Sequence, residues 1–176
     1  MTSQIINIIL IFIIFSFLMF NLFKFIKNKL RINKFQTEKK FFNKNLYITL
    51  LILFFAALLL EMIQLIMFIA FIFINAKWIE WTSMAFQLVS LSYFIVLLLI
   101  SNKMIRGIFV LVFENNLIFI ENVVPIDSIH VITNNLKRTT MTISFVEGEI
   151  IEVIQFKYHW KLKDLFKEVC GEKYHD

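Results

Sequence analysis

One carboxyl group interrupts a long apolar stretch of the chain. The segment LILFFAALLLEMIQLIMFIAFIFI, residues 51–74, contains Glu61 and, three positions later, Gln64. An ionised acid at the centre of a bilayer costs at least about 2.5 kcal/mol, so such a residue normally faces protein or water. Because residues three apart share a helix face, both side chains are predicted to point toward the same neighbours. This pair is the first candidate for a functional site.

Other uncharged polar residues fall at a similar depth in the apolar runs. Counting inward from the outer edge of the second and third runs sets Gln64 level with Ser92 and its neighbour Tyr93. We predict an intramembrane polar layer made of Glu61, Gln64, Ser16, Asn21, Ser92 and Tyr93. Three roles are open for it: interhelical hydrogen bonding with Glu61 protonated, a docking point for a partner subunit, and an ion or proton site.

The remaining chemistry-bearing residues do not form a motif. The histidines, His130, His159 and His175, do not stand at metal-ligand spacing from one another or from a Cys or Asp, and the three glycines are scattered. His159 is interpreted as a buried or helix-capping residue. Cys170, the only cysteine, is interpreted as a helix-packing residue. We therefore expect no catalytic site, metal or cofactor, and we predict that the protein is not an enzyme.

The composition indicates a membrane protein. Hydrophobic residues make up 59% of the 176 residues, whereas soluble domains contain about 45–50%. Three apolar runs predict transmembrane helices over about 5–25, 46–76 and 81–102, each long enough to cross roughly 30 Å of hydrocarbon. The short linker NAKWIEW makes the last two spans an antiparallel hairpin. Residues 1–106 are predicted to form the transmembrane domain.

Charge sets the predicted orientation. A loop predicted over 24–45 carries eight Lys or Arg between Lys24 and Lys44 and one acid. By the positive-inside rule this loop and the C-terminus are cytoplasmic and the N-terminus is outside. The aromatic residues in the loop favour membrane anchoring over nucleic-acid binding, although a specific basic docking site is an alternative. The residues expected to face anionic lipid head groups are Lys24, Lys27, Lys29, Arg31, Lys34, Lys39, Lys40 and Lys44.

Residues 107–176 have a different pattern. Short runs rich in β-branched and aromatic residues alternate with turn-type clusters, and YHWKLKDLFKEVC has the spacing of an amphipathic helix. We predict a small α+β domain of about five antiparallel strands and one helix. This region carries seven Lys or Arg against ten acids. Its charge is opposite to that of the basic loop, so we expect it to lean on that loop or on the membrane.

The layout resembles a family of uncharacterised small bacterial membrane proteins, often encoded near mannose-type phosphotransferase permeases. The most specific stretch is KMIRGIFVLVFENNLIFIENVVPIDSIHVI, in which PIDSIHVI resembles the start of a strand in small bacterial pleckstrin-homology-like domains. The resemblance implies a three-span protein with a β-rich cytoplasmic tail. It carries over no site residues.

We expect a non-enzymatic accessory or regulatory protein of the bacterial cytoplasmic membrane. It would bind a larger membrane complex such as a sugar permease, or a further copy of itself. The alternative is a bacteriocin self-immunity protein, since such proteins are also small, basic and multi-span. A lipid-modifying enzyme is disfavoured because the sequence lacks a catalytic motif.

Overall fold

The computed structural model describes residues 2–34, 39–74, 76–120 and 122–175. Three helices are long and apolar enough to cross a membrane, and a domain of two sheets and one helix follows them, which confirms the predicted fold class. The helices are α1 (Thr2–Asn33), α2 (Lys44–Ile74) and α3 (Lys77–Arg106). The chain divides into two compact units, residues 1–33 with 49–99 and residues 34–48 with 100–176.

Helix α1 continues beyond the predicted first span. The basic loop predicted from residue 24 begins only after Asn33, so Lys24, Lys27, Lys29 and Arg31 lie on the helix. The helix contains neither Gly nor Pro, and Lys and Arg are good helix formers, so a change from apolar to basic residues does not end it. The charge pattern therefore indicates where the apolar segment stops rather than where the helix stops.

The buried residues of α2 follow a seven-residue repeat. They alternate at spacings of four and three, which keeps one stripe facing the neighbouring helices, as in left-handed helix bundles. Ring contacts join α1 to α2 through Phe25 and Phe54, and α1 to α3 through Phe17 and Phe94. The stripe consists of Leu50, Phe54, Ala57, Glu61, Gln64 and Phe68.

The second unit contains two four-stranded sheets. The first has the antiparallel order β1 (Lys39–Phe42), β2 (Phe109–Phe113), β3 (Asn116–Ile118), β4 (Val123–Pro125). The second has the order β7 (Ile150–Lys157), β6 (Thr140–Glu147), β5 (Ile129–Asn135), β8 (Tyr174–His175). Strand β8 pairs parallel to β5, and the other pairs are antiparallel. The structure thus has more strands than the five that the sequence patterns indicate.

Turn residues and alternation explain the two sheets. The β2–β3 turn has Glu114 and Asn115 at positive φ, the backbone required by a tight two-residue hairpin turn. Along β6, residues Met141, Ile143 and Phe145 alternate into the core, as the period of two predicts. Helix α4 (Trp160–Cys170) covers this core with a stripe that includes the fully buried Leu162 and Phe166.

The first strand of the β domain comes from the basic segment before α2. Phe42 of β1 pairs with Phe109 of β2, and the Asn43 amide donates to the Ile108 carbonyl at 2.8 Å. Phe41 is 5% exposed and belongs to the domain core. The predicted association of the tail with the first loop therefore takes the form of a shared sheet. In the chain, α2 and α3 are inserted between two paired strands.

Candidate functional site

The intramembrane carboxyl group has a partner on the adjacent helix. Ser90 of α3 donates a hydrogen bond from its Oγ to Oε1 of Glu61 on α2. Glu61 is 1% exposed and Ser90 is 3% exposed, so this bond is fully enclosed by the three-helix unit. Such a contact satisfies one polar oxygen and joins two helices, as expected for interhelical hydrogen bonding.

The other oxygen of Glu61 differs from the first. Among the described residues, Oε2 is buried and makes no hydrogen bond. Gln64, one turn further along α2, is also buried. Because a buried polar atom without a partner is unfavourable, the second oxygen is the feature of this unit that interhelical packing leaves unexplained.

The structure separates the other members of the predicted polar layer. Tyr93 donates its hydroxyl to the Leu53 carbonyl at 3.1 Å, which links α3 to α2. Asn21 instead bonds the Phe17 carbonyl of its own helix at 2.8 Å. Ser16 and Ser92 are exposed on the apolar outer surface. The structure thus does not bring Ser16, Asn21 or Ser92 to Glu61.

Sequence reasoning missed Ser90 and a second interhelical bond. Gln87 of α3 donates its Nε2 to Oδ1 of Asn7 on α1 at 3.2 Å. A signal for Ser90 was present, since Ser83 and Ser90 are small residues seven positions apart and therefore share a helix face. Small residues on one face mark where helices approach closely, and the structure buries both serines.

Seven of the eight predicted basic residues divide among three elements, and Lys34 lies in the turn after α1. Four are on α1, Lys39 and Lys40 are on β1, and Lys44 begins α2. Lys39 Nζ lies 2.8 Å from Oε1 of Glu168 on α4. The two side chains are 40% and 63% exposed, so solvent screens the ion pair and its contribution to stability is small. The pair nevertheless joins the basic segment to the acidic tail.

His159 and Cys170 have structural roles. His159 is the N-cap of α4, where its Nδ1 accepts from the Lys161 amide at 3.2 Å, which confirms the capping interpretation. Burial and the nearby Lys161 ammonium lower the pKa of His159. Cys170 is buried in the domain core, and burial raises its pKa to about 11. At neutral pH its thiol is therefore protonated and a poor nucleophile.

The β6–β7 hairpin exposes an apolar surface outside the helical unit. Val146 of β6 and Ile151 and Val153 of β7 share the outward face of the sheet, and Ile150 lies at the turn. Ile150, Ile151 and Val153 are 69%, 62% and 57% exposed. We call these four residues the hairpin patch. Large exposed apolar clusters on soluble domains mark interaction sites.

Comparisons with known proteins do not supply an identity for the chain. No family model, curated protein or solved structure was found to match it. The geometry of the molecule alone therefore supports its functional assignment.

Proposed function

We propose that this protein is a non-enzymatic accessory protein of the bacterial cytoplasmic membrane, which binds a protein of a larger membrane complex through the hairpin patch. The exposed patch is the observation that carries the proposal. Three β-branched side chains, Val146, Ile151 and Val153, stand side by side on a surface that the domain core does not use. Covering them with a partner removes this apolar area from water.

The charges around the hairpin patch favour protein over lipid as the partner. Three acids, Glu147, Glu149 and Glu152, lie at the same end of the hairpin as the patch, and the turn between the strands contains no cation. An anionic membrane surface repels such a cluster. A protein surface that combines apolar side chains with Lys or Arg complements both its shape and its charge.

The backbone of β7 offers a second means of contact. β7 is an edge strand, and among residues 39–74, 76–120 and 122–175 it pairs only with β6. Its eight residues, Ile150–Lys157, contain no proline. An extended partner segment can therefore add to this edge and use the patch for side-chain specificity.

The fold supports a docking role for this domain. The domain combines two four-stranded sheets with one helix, α4, which precedes the last strand β8. Its segment PIDSIHVI resembles part of small bacterial pleckstrin-homology-like domains. The same resemblance suggests a mannose-type phosphotransferase permease as the first partner to test. The proposed orientation, with the β domain in the cytoplasm, rests on the basic residues between Lys24 and Lys44.

Photocrosslinking in native membranes tests this proposal. A photoreactive residue at Ile151 is expected to crosslink to a subunit of the complex, whereas the same residue at Thr133, on the same face of the sheet but outside the patch, is expected to crosslink much less. Ile151→Asp should then abolish copurification of that subunit, while Thr133→Asp should preserve it. Equal copurification with both variants would refute the docking role of the patch. A bacteriocin receptor as the crosslinked subunit would favour immunity over permease regulation.

A further inference from the structure

A basic pocket lies at the end of the second sheet opposite the hairpin patch. Its volume is about 350 Å³, within the usual range for small-molecule sites. It forms where the last turns of α3 meet the β5–β6 turn and the end of β7. The residues that define its chemistry are Ile100, Met104, Arg138, Thr140, Gln155 and Lys157.

Two cations converge on this pocket. Lys157 is paired across the sheet with Thr140, and Arg138 lies in the turn that precedes Thr140. Among the described residues neither cation is part of a salt bridge, and the ion pair between Lys39 and Glu168 lies outside the pocket. Thr140 and Gln155 add a hydroxyl and an amide that can donate hydrogen bonds. This donor set suits a phosphate oxygen.

The charge of the second sheet is graded along the β6–β7 hairpin. The acids Glu147, Glu149 and Glu152 are at the turn, whereas Lys157 and Arg138 are at the opposite end. The gradient directs anions to the pocket end and away from the turn. Electrostatic attraction favours an orientation in which the basic pocket end, rather than the acidic turn, faces an anionic surface.

Apolar side chains complete the pocket. Ile100 and Met104, one turn apart on α3, supply its apolar wall. Leu136 does not line the pocket, but it is in the same turn as Arg138 and is 65% exposed. An apolar wall next to two cations complements a molecule that has a phosphate at one end and hydrocarbon at the other.

We infer that this pocket binds the phosphodiester head group of an anionic phospholipid. Arg138 and Lys157 bind the phosphate oxygens, Thr140 and Gln155 donate hydrogen bonds, and the apolar wall receives the start of the lipid chains. The site differs from the predicted basic loop, and it does not depend on the hairpin patch.

Lipid binding to the full-length protein in detergent tests the inference. The probes are short-chain phosphatidylglycerol, phosphatidylcholine of equal chain length, and inorganic phosphate, and the readout is the rise in melting temperature over a titration. Phosphatidylglycerol is expected to stabilise the wild type at concentrations that leave phosphatidylcholine without effect. Arg138→Gln with Lys157→Gln should weaken this binding roughly tenfold or more.

Matched variants separate the site from general charge effects. Lys161→Gln with Lys167→Gln removes the same charge from exposed positions on α4, outside the pocket, and should leave the affinity unchanged. Arg138→Lys should retain most of the binding because it keeps the charge. Equal binding of both lipids, or unchanged binding by the pocket variant, would overturn the inference. Stabilisation by inorganic phosphate in competition with phosphatidylglycerol would also overturn it, because the ligand would then be a soluble phosphate.

Discussion

The hydroxyl of Ser90 on α3 is hydrogen-bonded to the carboxyl group of Glu61 on α2, and both side chains are almost completely buried. The bond joins the two helices of the predicted hairpin within a largely apolar contact, to which Tyr93 adds a hydrogen bond to the Leu53 carbonyl. Since apolar helix surfaces match lipid tails as well as one another, such polar contacts contribute specificity to packing in a membrane.

Ser90→Ala is expected to lower the stability of the protein in detergent by about 0.6–1.7 kcal/mol, the range of interhelical hydrogen bonds in membranes. Ser92→Ala is the matched control, since Ser92 is exposed on the same helix and should have almost no effect. Chemical or thermal unfolding of the purified variants measures both. Equal losses for the two alanines would contradict a structural role for the Ser90 bond.

Glu61→Gln distinguishes hydrogen bonding from proton or ion chemistry. The amide keeps a polar group of similar shape that accepts from Ser90, so folding and partner binding should survive. If Glu61 exchanges a proton, the same variant should fold but lose function, because an amide cannot titrate. Glu61→Leu removes the bond and should resemble Ser90→Ala in stability. A fully stable and active Glu61→Leu protein would leave Glu61 without a role.

Cysteine labelling checks the proposed orientation. In a Cys170→Ala background, a cysteine at Lys77 should react with a membrane-impermeant thiol reagent in intact cells, and a cysteine at Glu149 should react only after permeabilisation. Native Cys170 is unsuitable as a reporter because it is buried and its pKa is about 11. At pH 8 only about one thiol in a thousand is then ionised. Labelling of the Glu149 position alone in intact cells would reverse the topology.

Charge reversal tests the contact between Lys39 and Glu168. Lys39→Glu sets two acids side by side and should increase the protease sensitivity of the β domain at low salt, by an amount equivalent to less than about 1 kcal/mol. Lys40→Glu makes the same charge change at a position without this ion pair and should have a smaller effect. Glu168→Lys in the Lys39→Glu protein should restore resistance. The differences should fade at high salt, and failure of the rescue would argue against the ion pair.

Acid should loosen the start of α4. The folded-state pKa of His159 lies below its ordinary value of 6.5, so folding favours the neutral ring that accepts from the Lys161 amide. This contribution is complete above pH 6.5 and is lost as pH falls through the lower folded-state pKa. Hydrogen exchange in the first turn of α4, corrected for intrinsic rates, should therefore accelerate by an amount equivalent to about 1 kcal/mol. His159→Asn, a cap that does not titrate, should remove the pH dependence.

Some features of the helical unit could be predicted from sequence, and others could not. Apolar length alone predicts three spans, because few other structures bury so many consecutive apolar residues. Counting residues inward from the outer ends of the spans placed Gln64 level with Ser92, whereas the structure buries Ser90 instead. Each residue turns a helix by about 100°, so an error of two positions moves a side chain to the far side. Hydropathy also does not reveal the buried stripe of α2, since apolar residues occupy both faces.

Several strands of the β domain could not be predicted from the sequence, for a different reason. β1 reads KKFF within a basic run, and its charges hide the alternation that marks a strand. Its partner strand β2 lies beyond two transmembrane helices, so no local signal connects them. β3, β4 and β8 have two or three residues each, too few for a period of two to be recognised. Longer strands such as β6 were evident because Met141, Ile143 and Phe145 alternate with polar residues.

The pairing of Phe42 with Phe109 also makes the domain sensitive to how the chain is threaded through the bilayer. Strands β1 and β2 can join only on the same side, so the segment between them must cross an even number of times. If α2 crossed the membrane but α3 did not, β1 and β2 would lie on opposite sides of the membrane. The first sheet would then lack its edge strand β1. The first sheet of the β domain can therefore be completed only when α2 and α3 have both crossed the membrane. A misthreaded chain would expose Phe41 and the rest of its unfinished core to the quality-control proteases of the cell.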